Sequence, residues 1–283
     1  RVWEETVLLA PEDVLHAFGM SVYGAMAPMV GHPNSPVIME PIFAIDMHVR
    51  ALSTASLGAM ANIMRATHLD EAIFASLCRE SDMYHVLQRC AILVSRMALT
   101  MPPPMFHDMV RATASWPDLC RRLISTSATL SLARSRKLVA LGLAHMLRHA
   151  SAQDKGLLSA VPDMIGMWTE VVGEVVEDEA GSADRYEREL SPTRALEIGE
   201  DGIPFLDEFG LIEAAPTPSS ARTDAVRSRD PSFTVPLRAY VADTLNAVLQ
   251  NGSYKTQLQS LLATIDPLVL DTLQRGLSER PVA

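Results

Sequence analysis

His145 and His149 stand four residues apart, and on a helix that spacing turns two imidazoles to one face, where they could share a divalent metal ion. Met146 follows His145 where a His-Glu-x-x-His protease carries its general base, and no third ligand suggests itself. The pair therefore reads as part of a solvated or interface face. Adjacent carboxylates occur at Asp207-Glu208 and at Glu177-Asp178-Glu179. Paired acids perform acid–base chemistry when burial drives their pKa values apart, and both sets lie in strongly polar sequence. There is no Gly-x-x-x-x-Gly-Lys and no Gly-x-Ser-x-Gly, so phosphate cradling and acyl transfer have no support. No catalytic residue, cofactor or metal is expected; the chain reads as a binding protein rather than an enzyme.

The elements that would carry such residues are helical. Hydrophobic residues make up 48 % of the 283 residues but aromatics only 5 %, and 15 methionines contribute to the apolar content. Leu, Ala and Met favour helices or fill irregular gaps between them. A chain of this length can bury a sizeable core as one large domain or two. Cys78, Cys90 and Cys120 have no paired spacing, which points to a reduced, intracellular protein. No run of about 18 apolar residues is evident, so no membrane insertion is expected. The first thirty residues lack a basic start followed by an apolar stretch, which argues against a signal peptide. The chain opens on Arg1 rather than Met, and we read it as part of something longer.

Charge is unevenly spread. Residues 1–176 hold 14 basic and 16 acidic side chains, residues 177–230 hold 6 and 14, and residues 231–283 hold 4 and 4. One segment thus carries −8 of the net −10. A long basic stripe is missing, which argues against direct nucleic-acid binding, while basic clients would be attracted to the acidic segment.

Apolar periodicity predicts a helix over 41–64, starting at Pro41, with Ile42, Ile45, Val49, Leu52, Met60, Ile63 and Met64 on its stripe. A second is predicted over 82–98, with Val86, Leu87, Cys90, Val94 and Met97 inward. The prolines at 102–104 break the chain, and new helices open at Met105 and Pro117. From Ser131 a longer helix runs toward Ala150, with Arg134, Lys137 and Arg148 on or near its polar side. Pro162 opens the clearest of all, with Met164, Ile165, Trp168, Val171, Val172 and Val175 on one face. Residues 131–150 and 162–178 are expected to form one antiparallel pair. Consecutive helices with proline-marked turns and no strand-like alternation predict an all-α fold, an α-solenoid of HEAT-type antiparallel helix pairs, whose repeats run to about 40–47 residues.

From Glu177 to Asp230 the periodicity is lost, and residues 179–230 read as an acidic loop containing Pro, Gly and Ser. Within it lies an apolar cluster, Phe205, Leu206, Phe209, Leu211 and Ile212, read as a loop-docking or partner motif. Ser191-Pro192 and Thr217-Pro218 are candidate phosphorylation sites. Phe18-Gly19 and Phe209-Gly210 are too few to form a Phe-Gly repeat.

Order returns at Arg229-Asp230-Pro231-Ser232-Phe233-Thr234-Val235-Pro236-Leu237, and short helices close the chain through Leu261-Leu262-Ala263-Thr264-Ile265-Asp266 and Leu273-Gln274-Arg275-Gly276-Leu277. This ending resembles the C-terminus of the importin-eleven branch of the importin-β (karyopherin-β) superfamily, where an Asp-Pro and a Thr-Val-x-Leu step open a helix. Arg136-Lys137-Leu138-Val139-Ala140-Leu141-Gly142-Leu143 is similar to a helix start in late HEAT repeats of the same superfamily. The resemblance covers 229–278 well and 131–178 loosely; residues 1–130 share only the helical pattern. The acidic loop over 179–230, which has no residue-level match in that family, divides the chain into HEAT-type repeats over 1–178 and C-terminal capping helices over 231–283. The resemblance implies a nuclear transport receptor that moves between nucleus and cytoplasm through the nuclear pore. Its partners would be cargo proteins, including basic ones, and Phe-Gly nucleoporins, with GTP-bound Ran acting mainly through N-terminal repeats absent here. A scaffold or adaptor solenoid unrelated to transport is the alternative.

Overall fold

Wherever the sequence keeps an apolar stripe, the chain coils. The computed structural model describes residues 7, 10–32, 38–79, 83–154, 156–181, 229–250 and 254–278, with the side chains of 175–181 excepted. The described residues form thirteen α-helices and no strand. In chain order they are α1 (Pro11–Gly31), α2 (Met39–Ala51), α3 (Thr54–Ala66), α4 (Leu69–Cys78), α5 (Tyr84–Thr100), α6 (Pro103–Thr113), α7 (Trp116–Ser127), α8 (Ala133–Arg148), α9 (Val161–Gly181), α10 (Pro231–Thr234), α11 (Leu237–Gln250), α12 (Lys255–Leu262) and α13 (Pro267–Ser278). A 3-10 turn, Leu158–Ala160, precedes α9.

The helices stack in three rows. One row runs α2, α5, α8, α11, each packed on the next; a second runs α1, α4, α7, α9, α13 against it. The short elements form a third, in which α3 meets α6 and the 3-10 turn meets α12. The chain visits the rows in the same order each time, as α2–α3–α4, α5–α6–α7, α8–turn–α9 and α11–α12–α13. The first three units begin at Met39, Tyr84 and Ala133, so they recur after 45 and 49 residues, close to the period of HEAT and armadillo repeats. The fold is an α-solenoid in which a short third element joins each expected helix pair. The acidic segment falls at a boundary between units, not inside one.

The helix expected over 41–64 is two helices. Leu52 and Ser53 are extended, with ψ of 146° and 156°. The Ser53 N–H is drawn to the Glu12 carboxylate at 3.1 Å. Serine at the head of α3 is a helix-start signal, and Ser53, Thr54 and Ser56 interrupt the apolar residues there. Among the described residues one helix, α1, is by length and composition apolar enough to cross a membrane, with a mean hydropathy of 1.2, although the sequence holds no unbroken apolar run there. Its Val, Ala and Met residues lift the average although its first turn carries Glu12 and Asp13. In the fold it buries Leu15, Tyr23 and Val30 against α2, α3 and α4.

The expected pairing of α8 with α9 is present and antiparallel, since Arg136 near the start of α8 bonds Glu174 late in α9. Trp168 is fully buried, and its indole N–H donates to the Ala140 carbonyl at 3.1 Å. Leu143, Met146, Leu147 and Val172 share that core, while the side chain of Val175 lies outside the described residues. α5 and α8 approach each other closely at Gly142. A Cβ on Gly142 would stand 2.9 Å from the Ser95 Cα, so glycine is what lets the two backbones meet.

Candidate functional site

The polar side expected for α8 is not solvent. Lys137 is buried, and the Arg134 guanidinium lies 3.4 Å over the Phe233 ring. The cause is the chain's return after the acidic segment. Asp230 caps α10, accepting from the Ser232 N–H at 2.9 Å and its hydroxyl at 2.7 Å. That places the other carboxylate oxygen, Oδ2, 2.6 Å from Nη1 of Arg96 in α5. The Arg96 Nε donates to Asp46 of α2 at 2.6 Å, and Asp46 also accepts from Arg50 at 2.6 Å. Arg50 and Arg134 stand 3.8 and 3.9 Å from Asp230, and the Arg134 Nε donates to the Ser232 hydroxyl at 2.9 Å.

Two carboxylates and three guanidiniums thus form one cluster, and its centre is dry: side-chain exposure is 3 % for Arg96, 8 % for Asp46 and 0 % for Asp230. Burial alone would raise the Asp230 pKa, but Arg96 and Arg50, with the Ser232 hydrogen bonds, hold it far below the usual carboxylate range. Burial likewise opposes ionisation of Asp46, and Arg50 and Arg96 outweigh it. A groove opens beside the cluster, lined by Arg50, Ser53, Thr54, Thr100, Arg229 and Pro231 among others.

Two of the other polar clusters that contain histidine lie in the later units. His107 Nδ1 meets Asp154 at 3.0 Å, and Asp154 also accepts from the Trp116 indole and from the Ser151 N–H and hydroxyl. This ties the turn after α8 to α6 and α7. The second contains the expected His-x-x-x-His pair. The rings of His145 and His149 are 4.4 Å apart, but Nδ1 of His145 pairs with the Tyr240 hydroxyl of α11. Burial, then the neighbouring His149, His107 and Arg148, push His145 down to about 4. Its Nδ1 is thus already engaged, and among the described residues no group of three or more His, Cys, Asp and Glu could hold a metal ion. The pair is an interface between α8 and α11. Burial pushes the thiols of Cys90 and Cys120 up to about 12, which keeps them protonated.

The cluster Phe205, Leu206, Phe209, Leu211 and Ile212 lies outside the described residues. So do Asp207-Glu208, Phe209-Gly210, Ser191-Pro192, Thr217-Pro218 and the side chains of Glu177, Asp178 and Glu179. Sequence reasoning found Asp230-Pro231 as a helix start but missed Asp46, Arg50 and Arg96. One signal was available: Arg96 interrupts an apolar run, Leu93-Val94-Ser95-Arg96-Met97-Ala98, at a position that has to be buried.

A family model described as Importin-11-like, TPR repeats matches residues 1–278. No curated protein and no solved structure matches the chain. That match spans the described helices of all four units as well as the segment between α9 and α10, so the chain belongs to the importin-11-like repeat family, within the importin-β superfamily of nuclear transport receptors.

Proposed function

We propose that this chain serves a nuclear transport receptor by binding cargo and Phe-Gly nucleoporins as the receptor moves between cytoplasm and nucleus through the nuclear pore. Membership of the importin-11-like family carries the reading. The solenoid supports it, because stacked units provide extended surfaces for protein partners. So does an apolar edge. Tyr84 and Met83 at the start of α5 are 59 % and 39 % exposed, and Leu132 just before α8 is 40 % exposed. These are equivalent places in neighbouring units, and Gln88 holds the two ends together by donating to the Thr129 carbonyl at 2.7 Å. Phenylalanine from a Phe-Gly repeat is the kind of weak, repeated ligand that such an edge can take. The acidic segment would attract basic cargo. GTP-bound Ran would act chiefly through other repeats of the receptor.

The test is retention of the chain on immobilised Phe-Gly peptide, beside the double variant Tyr84→Ser/Leu132→Ser. Weak, multivalent binding that the double variant reduces is expected. No retention of the parent chain would favour a scaffold solenoid outside transport.

A further inference from the structure

We propose that Asp230 is a brace that fixes the spacing of three successive units. In a solenoid each unit contacts its neighbours, and stability and shape follow from those nearest-neighbour interfaces. Here α2 packs on α5 and α5 on α8. The Asp230 carboxylate does not obey that order. It belongs to the entry of the fourth unit, yet it bonds Arg96 of the second and stands within 4 Å of Arg50 of the first and Arg134 at the head of the third. Asp46 closes the cluster from the first unit through Arg96 and Arg50.

Arg96 fits this role for a geometric reason. Its Nε and Nη1 reach different carboxylates, Asp46 and Asp230, each at 2.6 Å. A planar guanidinium with two engaged edges fixes both distance and angle between its partners, which a point charge does not. The cluster is also dry, so parting any member strands a charge in a low-dielectric site. Sliding or splaying of α2 against α5 must therefore break an ion pair as well as apolar contacts. Buried ionic groups are best attested as devices that set register, and here the register is that of the α2, α5, α8 row. The residue that ends the acidic segment is thus also the one that sets the geometry of the units before it. This role stands independently of nucleoporin binding.

The experiment is hydrogen exchange on the whole chain and three variants. Asp230→Asn keeps the shape and a weaker α10 cap but removes the charge. Amides in the last turn of α2 and the first turn of α8 should exchange at least about tenfold faster, along with those of α10. Ser232→Ala is the control: it weakens the cap and removes the Arg134 contact but leaves the Arg96 pair, so acceleration should stay within 231–236 and the head of α8 and leave α2 unchanged. Should Asp230→Asn fail to fold, Arg96→Lys carries the test, since it keeps the charge but offers one head for two carboxylates. It should accelerate α2 as well. Acceleration confined to α10 in Asp230→Asn, or an unchanged α2 in a folded Arg96→Lys, would overturn the brace and leave Asp230 as a helix cap.

Discussion

The third unit and the fourth use the same order of elements but hold together differently. In α8 every residue from Lys137 to Leu147 except His145 is buried. Trp168 of α9 fills the space between them, and Gly142 lets α5 close in from the other side. In the fourth unit, by contrast, Leu237, Val241, Val248, Leu258 and Leu273 are the buried apolar side chains, and Leu268 is 67 % exposed. Polar contacts accompany this thinner packing, at Asp230 where the unit is entered and at Tyr240 where α11 meets α8. The contrast teaches that one repeat plan can be secured by close-packed apolar area or by a few anchored polar groups, and the two respond to different perturbations.

The sharpest test of the apolar side is Trp168→Ala. The ring is fully buried, so truncation should cost ~3–5 kcal/mol in a denaturant melt. A loss below about 1 kcal/mol would mean that the α8–α9 pair does not form the core described. On the polar side, Arg96→Met strands Asp46 and Asp230. The expected loss is about 3 kcal/mol, at the low end for a broken buried pair because Arg50 remains beside both acids. A neutral Arg96→Met would show that the cluster contributes nothing over an apolar contact.

These two regions differed in how far the sequence disclosed them. The stripes of α5, α8 and α9 were readable because apolar periodicity is a local signal, and residues three and four apart share a helix face. Pro117 was readable as a helix opener, and Ser115 does cap α7 by accepting from the Asp118 N–H. The split at Ser53 was legible only in the polar Ser53, Thr54 and Ser56, because apolar residues at helical spacing resume beyond them. The buried cluster was hidden for a different reason. Arg96 lies 50 residues from Asp46 and 134 from Asp230, and no periodicity links them. Lys137 and Arg134 looked solvated because α10, which covers that side of α8, is contributed from beyond the acidic segment.

Acid should separate the polar contacts in two windows. His145 is pushed down to about 4 by burial and by His149, His107 and Arg148, with the Tyr240 hydroxyl facing it from α11. A histidine in an unfolded chain titrates near 6.5, so the unfolded state takes up the proton first, and stability falls as pH drops from about 6.5 to 4, by ~3 kcal/mol. Asp46 and Asp230 have lowered pKa values; their contribution is present above the unfolded carboxylate range, near 4, and is lost only below it. Melts of the parent and of His145→Gln across pH 4–8 check this. The variant should lose His145's share of the upper window, to which the lowered His48 and His149 also contribute, and an equal slope in both proteins would remove His145 from the account.

Adding one methyl group probes the two packings most gently. At Gly142 the new Cβ would meet the Ser95 Cβ at 2.8 Å and its Cα at 2.9 Å. Backbone cannot swing aside, so α5 and α8 must part. Gly142→Ala should lose ~1–2 kcal/mol even after the helix-propensity gain of alanine, read as a lower melting temperature.

At Gly276 of α13 the nearest atom would be the Val172 Cγ1 at 2.9 Å, with the next at 3.9 Å. Only one methyl of Val172 is in the way, and α13 is bounded by solvent on its far side, where Gln274 and Arg275 are exposed. A shift of a few tenths of an ångström in α13 relieves the contact. Alanine also favours the helix over glycine by up to about 1 kcal/mol, which offsets the strain. The expected change for Gly276→Ala is therefore within about 0.5 kcal/mol of zero. Should it cost as much as Gly142→Ala, the α9–α13 interface would be as unyielding as α5–α8. The distinction between a rigid apolar body and an adjustable final unit would then fail at its most direct point of comparison.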